Sequence, residues 1–373
     1  MHVYVSLMSD LVSPPHIISP GRSCSYCYKP MEKVLNCGSC GARAYCSKAC
    51  QKIDWKQHKI WCGCGVAQID VDYEVRPSSV GEGSGLGVFA KRAFAVGDKV
   101  LTERAVMKLI VNPFIRCQGL RDFTTLYNVL PDAVQKAVRD LHPCPPHDAE
   151  DAKMNLGVGP GSLQYKYNHF AMGDNESSLG GLCVVAARFN HACVPNCGRY
   201  FLSDHDLLVI HVDTPVAVGE ELTISYTAKA HTQSIEHFKA FTMKGWKFEC
   251  SCRVCKDPVL FDKLCQVTKN DDMINELGSS GREQEAYILG EETMRLYEEL
   301  GCGAHLKRRT LYDMFQMAVL RRATLPKAVE CARETLGNVE IAFGGSKKDP
   351  RAITTAEQNT LCPEVHKLYC VKG

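Results

Sequence analysis

The chain has 373 residues, 45% of them hydrophobic and 23% charged, a length that at about 150 residues per domain suggests two or three folded domains. Lys and Arg number 44 against 42 Asp and Glu, a formal net charge of +2. That balance excludes an acidic disordered tail and argues against direct nucleic-acid binding as the primary role. No stretch of about 18 apolar residues occurs, so no membrane-spanning helix is expected. Asp10, Pro14 and Pro15 interrupt the start of the chain, and no basic run opens it, so it does not read as a signal peptide.

In chain order, residues 1–22 read as an irregular leader broken by Ser13-Pro14-Pro15 and Ser19-Pro20-Gly21. A cysteine-dense module follows over 23–66. The central unit spans 67–248 and opens on the Gly-rich stretch Gly81 to Gly87. Short alternating runs then continue to Val111 and read as strands. A helical insert is expected over about 112–166, with Leu120–Leu141 as its core and Pro143, Pro145 and Pro146 ending it. Leu207–Val212 and Glu221–Tyr226 read as strands joined by a turn containing Pro215 and Gly219. A short cysteine segment occupies 249–258, and 259–373 reads as helical. Within that last part, Glu283–Leu300, Leu306–Ala323 and Lys327–Phe343 show helical apolar spacing. The expected fold class is therefore α+β.

Cysteine is over-represented, with 21 in the chain and eight between Cys24 and Cys64. Without a secretory signal the compartment is expected to be reducing, which favours thiolate–metal bonds over disulfides. The first module reads Cys24-x2-Cys27, Cys37-x2-Cys40, Cys46-x3-Cys50 and His58-x3-Cys62. Two Cys-x2-Cys knuckles, and two pairs four apart that share a helix face, supply eight ligands for two closed tetrahedral sites. Closed sites leave no position for water, so structural zinc is expected rather than a zinc hydrolase. A reactive or disulfide-bonded cluster is the weaker alternative. The second group, Cys250-x-Cys252-x2-Cys255, is one ligand short of a tetrahedral site.

Cys24 through Cys62, with Tyr45 before Cys46 and Trp55 between the last pairs, resembles a MYND zinc finger. The resemblance implies interleaved sites: Cys24, Cys27, Cys46 and Cys50 on one zinc, and Cys37, Cys40, His58 and Cys62 on the other. MYND modules bind proline-rich peptides or support a neighbouring domain, so a proline-rich partner is implied.

The Gly81–Gly87 stretch fails the dinucleotide pattern, because Leu86 and Val88 stand where the third glycine would fall. It does not stand alone. Gly85-Leu86-Gly87-Val-Phe89, then Arg188-Phe-Asn190-His191-Ala-Cys193-Val-Pro195-Asn196-Cys197, then Gly219-Glu-Glu-Leu-Thr-Ile-Ser-Tyr226 occur in that order. Together they resemble the three signature motifs of SET-domain lysine methyltransferases. Asn168-His-Phe170 resembles an element found before the second motif in MYND-bearing members. Departures are Ala192, where the family commonly has Ser, and Trp246, where relatives often have Tyr. The finger also precedes the Gly85–Gly87 motif, whereas several relatives insert it afterwards.

The resemblance implies that Gly85, Leu86, Gly87, Asn168, Asn190, His191, Tyr226 and Phe248 hold S-adenosylmethionine. Glycines at 85 and 87 would let backbone pass close to that ligand. Asn190 would bind the methionine end, and His191 the adenine through backbone groups. Tyr226 is the implied catalytic residue, its hydroxyl orienting the incoming amine, and Tyr226, Trp246 and Phe248 would line the lysine channel. Post-SET segments point to Cys193 as the fourth ligand beside Cys250, Cys252 and Cys255, giving three structural zinc ions in all. The implied activity is methyl transfer to lysine of histone or non-histone proteins, in the nucleus and/or cytoplasm. The competing expectation is a catalytically weak adaptor that binds partners through the finger.

Overall fold

The computed structural model describes residues 24, 26, 35–39, 43–62, 65–78, 85–110, 123–141, 161–172, 179–202, 207–227, 234–320 and 324–343. The leader, Cys27, Cys40, Gly81–Ser84, much of the insert and the tail beyond 343 lie outside the described residues.

The cysteine-dense module is a two-stranded ribbon, β1 (Leu35–Asn36) and β2 (Ala44–Tyr45), followed by the helix Lys48–Trp61. Ser47 caps that helix by accepting from Cys50 N. Asp54 on its inner face is fully buried, and Tyr45 Oη (2.6 Å) and Arg43 (2.9 Å) hold its carboxylate. A buried charge needs such partners.

The central unit folds three small sheets over two apolar clusters. In the first, β3 (Tyr73–Pro77), β4 (Leu86–Ala90), β12 (Glu221–Ile224) and β9 (Asn190–His191) lie side by side in that order. In the second, β11 (Leu207–Val212) lies between β10 (Cys197–Leu202) and β5 (Lys99–Glu103). Every residue of β11 is buried, which accounts for an apolar run broken only by His211. In the third, β8 (Leu179–Leu182) separates β6 (Met107–Ile110) from β7 (His169–Ala171). Tyr73, Val88, Leu101, Phe189, Ile210 and Leu222 meet in one of the two clusters.

One expectation is refined and one corrected. The helical core over Leu120–Leu141 is present but not continuous among the described residues: a helical turn over 123–128 ends before Pro131, and a new helix, Asp132–Arg139, begins after it. Pro131 lacks an amide proton and restricts the residue before it to extended backbone, so the ladder cannot cross. Nor does Tyr226 lie in a strand, because β12 stops at Ile224.

Beyond Cys255, the helices Pro258–Ser279, Glu283–Leu300, Ala304–Val319 and Leu325–Phe343 each pack on the next. The first helix is absent from the three segments read by apolar spacing. Asp257 caps it by accepting from Val259 and Leu260, with Pro258 in its first turn.

Candidate active site and thiolate clusters

The site forms where β9 runs parallel to β12, with Asn190 opposite Thr223 and His191 opposite Ile224. Asn196 locks this pairing: its Oδ1 accepts from Thr223 N (2.8 Å) and its Nδ2 donates to Glu221 O (2.9 Å). The chain leaving β12 is thereby led past His191, and Tyr226 N donates to His191 Nδ1 at 3.0 Å. Because Nδ1 accepts, the neutral ring carries its proton on Nε2, which lies 3.6 Å from Cys193 Sγ. The imidazole thus links the Tyr226 backbone to the second cysteine group.

Tyr226 Oη donates to Phe189 O at 2.7 Å. Its ring stands 5.8 Å from Trp246 and 6.0 Å from Phe248, edge-on to the latter, and 5.4 Å from His191. Burial pushes the Tyr226 phenol above its ordinary range; Glu221 adds to the shift and Arg199 opposes it. Tyr226 is therefore a neutral phenol whose proton is committed to a carbonyl. Trp246 and Phe248 both reach it because Lys247, between them, takes the left-handed conformation (φ 62°) that ends the Ile235–Trp246 helix. A non-glycine residue there costs about 1–2 kcal/mol.

Asn190 Nδ2 donates to Leu86 O (3.1 Å) and to Glu221 Oε1 (2.8 Å), and Ser78 Oγ donates to the same carboxylate at 2.9 Å. Gly87 makes room for that carboxylate, since a Cβ there would lie 2.1 Å from Glu221 Oε1. Gly85 takes a positive φ of 62°. Asn168 is drawn elsewhere: its amide donates to Gln164 O (2.8 Å) within its own helix and bonds none of Asn190, His191 or Tyr226.

Sequence reasoning assigned no role to Phe189, Glu221 or Lys247. Glu221 sat inside the Gly219–Tyr226 string as a conspicuous acid beside a strand. Phe189 acts through its carbonyl, which no side-chain pattern reveals.

Three ligand clusters form among the described residues. Cys193, Cys250, Cys252 and Cys255 are all buried with their Sγ atoms within 4.8 Å of one another; Cys24, Cys46 and Cys50 make a second group, and Cys37, His58 and Cys62 a third. Cys27 and Cys40 lie outside the described residues. Ligands on tetrahedral bonds of about 2.3 Å stand about 3.8 Å apart. Cys193 lies 3.4 Å from Cys255 and 4.0 Å from Cys250; Cys37 lies 3.7 Å from Cys62, and Cys46 lies 3.5 Å from Cys50. None of these cysteines is in a disulfide. Hydrogen bonds from neighbouring thiols, that of Cys193 first, pull Cys250 well below the ordinary thiol range. Burial, with Arg43 adding to it, lowers His58 to about 4, so its ring is neutral as a ligand must be. These donor sets fit zinc.

The paired thiolate finger and the three-sheet unit define a class. A family model described as "MYND finger" matches residues 24–62, and one described as "SET domain" matches 85–227. The chain thus carries a MYND finger followed by a SET domain. It is 26% identical over 353 residues to human "Histone-lysine N-methyltransferase SMYD3", covering 88% of this chain and 72% of that protein. Human "N-lysine methyltransferase SMYD2" is 23% identical over 251 residues, covering 63% of this chain and 51% of that one. Among solved structures, "the SET domain of LSMT bound to Lysine and AdoHcy" is 14% identical and covers 85% of this chain and 93% of that chain, with a TM-score of 0.29.

Proposed function

We propose that the chain transfers a methyl group from S-adenosylmethionine to the side-chain amine of lysine in histone or non-histone proteins. The carrying observation is the Tyr226 hydroxyl, fixed by Phe189 O and ringed by His191, Trp246 and Phe248. The names of the SMYD relatives support the reaction class. Support for the cofactor comes from the donor set: the Asn190 amide, the backbone of Gly85, Leu86 and Gly87, the His191 backbone and the Phe248 ring suit an amino-acid end joined to an adenosine. Asn168 is proposed to join that set, although its amide donates to Gln164 O in the structure. When bound, S-adenosylmethionine supplies the electrophilic methyl group.

The protein's own contribution follows from the geometry. A free lysine has a pKa of about 10.4, so the nucleophilic neutral form is rare near neutral pH. Trp246, Phe248 and Tyr226 offer the side chain an apolar wall that disfavours the ammonium by desolvation. The Tyr226 proton is occupied by Phe189 O, so its oxygen lone pairs accept from the amine and orient it. A phenol held above its ordinary range is no base, and the lysine proton therefore leaves to solvent before attack.

Three structural zinc ions are proposed: one on Cys24, Cys27, Cys46 and Cys50, one on Cys37, Cys40, His58 and Cys62, and one on Cys193, Cys250, Cys252 and Cys255. Metal analysis returning only two would remove the Cys193 site. The finger is assigned a proline-rich peptide partner, and the protein the nucleus, the cytoplasm or both, where thiols stay reduced. The test is labelling of a cell extract with radioactive S-adenosylmethionine, followed by identification of the labelled side chains. Label on lysine supports the proposal. Cofactor binding with no label on any protein would instead favour an adaptor.

A further inference from the structure

A primary amide has a donor end and an acceptor end, and its neighbours decide which way it faces. Around Asn190 the two nearest groups, Leu86 O and the Glu221 carboxylate, both accept, and Nδ2 donates to each. Turning the amide over would set its carbonyl oxygen against both acceptors. Oδ1 is thereby directed away from them, and among the described residues it receives no hydrogen bond.

Glu221 is itself held in place. Ser78 Oγ lies 2.9 Å from both of its oxygens, and the space beside Gly87 admits the carboxylate where any Cβ would collide with it. Arg76, the nearby cation, is occupied by Glu74 (3.2 Å), by Gly219 O and by the face of Phe89. The carboxylate is thus hydrogen-bonded to Ser78 and Asn190, and Arg76 acts on it only through space.

We propose that Glu221 is a positioning residue that fixes the Asn190 amide so that Oδ1 faces the cofactor's α-ammonium as an acceptor. The proposal rests on the S-adenosylmethionine reading given above. Glu221 acts through Asn190 and touches no reacting atom. An acceptor is the right partner because the ammonium offers only donors, and hydrogen bonds to charged groups are the stronger kind.

The test measures equilibrium binding of two probes: S-adenosylhomocysteine, which carries the ammonium, and 5′-methylthioadenosine, which keeps the adenosine and thioether but lacks the amino-acid end. Glu221→Met removes the acceptor at similar volume, and Glu221→Ala is the second variant should that one fold poorly. Either is expected to weaken S-adenosylhomocysteine about tenfold or more while 5′-methylthioadenosine changes by less than about twofold. Glu221→Gln is expected to stay within about threefold of wild type for both probes, because its Oε1 still accepts from Asn190 while its Nε2 donates to Ser78 Oγ. Equal loss of both probes in Glu221→Met and Glu221→Ala, or no loss, overturns the proposal and leaves the cofactor reading standing. Loss in Glu221→Gln as large as in Glu221→Met also overturns it, in favour of direct charge pairing. A wild-type protein that binds neither probe removes the cofactor reading and this proposal together.

Discussion

Replacing Glu103 should destabilise the fold severely, because its carboxylate holds two buried backbone N–H groups. The side chain is 4% exposed, and its carboxylate accepts from Val185 N (3.0 Å) and Ala186 N (2.8 Å). Both donors belong to buried residues at the start of the 3-10 turn Ala186–Arg188. That turn delivers Phe189, whose carbonyl holds the Tyr226 hydroxyl, and then Asn190 and His191. Glu103→Ala leaves two buried N–H groups unpaired at about 1–3 kcal/mol each, so a loss of about 2–6 kcal/mol is expected. Against a total stability of about 5–15 kcal/mol that is severe.

The pH dependence is the sharper test. Burial raises the Glu103 carboxyl from 4.5 to about 7, and the backbone N–H groups of Val185, Ala186 and Val184 oppose the rise. Between those values the folded state binds the proton more tightly than the unfolded chain does. The contribution to stability is thus full below pH 4.5 and is lost as pH climbs to about 7. From pH 5 to pH 8 the loss amounts to about 2.5 kcal/mol. Glu103→Gln cannot titrate, so the stability gap between it and wild type should move by about 2.5 kcal/mol in the variant's favour over that range. Urea unfolding at both pH values measures it. A gap independent of pH would refute the reasoning.

Gly87→Ala should drive the Glu221 carboxylate, and with it Asn190, out of place, since the new Cβ would stand 2.1 Å from Glu221 Oε1 and 3.0 Å from Asn190 Nδ2. Affinity for S-adenosylhomocysteine is expected to fall about tenfold or more, and unchanged affinity in a titration contradicts the packing argument. Cys37→Ala should disrupt the finger and leave cofactor binding measurable, because its cluster lies in a separate module. Cys193→Ala should damage cofactor binding and turnover together, because Cys193 touches both the cysteine group and His191; equal loss in the two variants would show that the modules are coupled.

Much of the site was legible because its chemistry is written in spacing. The Cys-x-Cys-x2-Cys run showed a site one ligand short, the resemblance to post-SET segments implied Cys193 as the fourth, and the fold brings Cys193 against Cys250, Cys252 and Cys255. Groups that act through backbone or tertiary approach were not legible. The split at Pro131 could have been read from the sequence, since proline interrupts a helix wherever it stands in the interior. The left-handed turn at Lys247 could not, because lysine does not announce a positive φ as glycine does. The partners of the His191 ring depend on β9 pairing with β12 across about thirty residues of chain. Asn168 shows the converse, a residue whose motif was readable and whose side chain turns to its own helix.

The central claim rests on one hydroxyl. Tyr226→Phe keeps the ring against His191, Trp246 and Phe248 and removes only the oxygen that bonds Phe189 O. A positioned polar group of this kind is worth about 2.7–4 kcal/mol in the transition state, or roughly 100- to 1,000-fold in rate. The decisive measurement is the rate of methyl transfer to lysine by Tyr226→Phe against wild type, with affinity for S-adenosylhomocysteine and thermal midpoint recorded on the same samples. The kcat is expected to fall by about 100-fold or more, with cofactor affinity nearly unchanged. A well-folded variant that keeps more than about a third of wild-type turnover would contradict it.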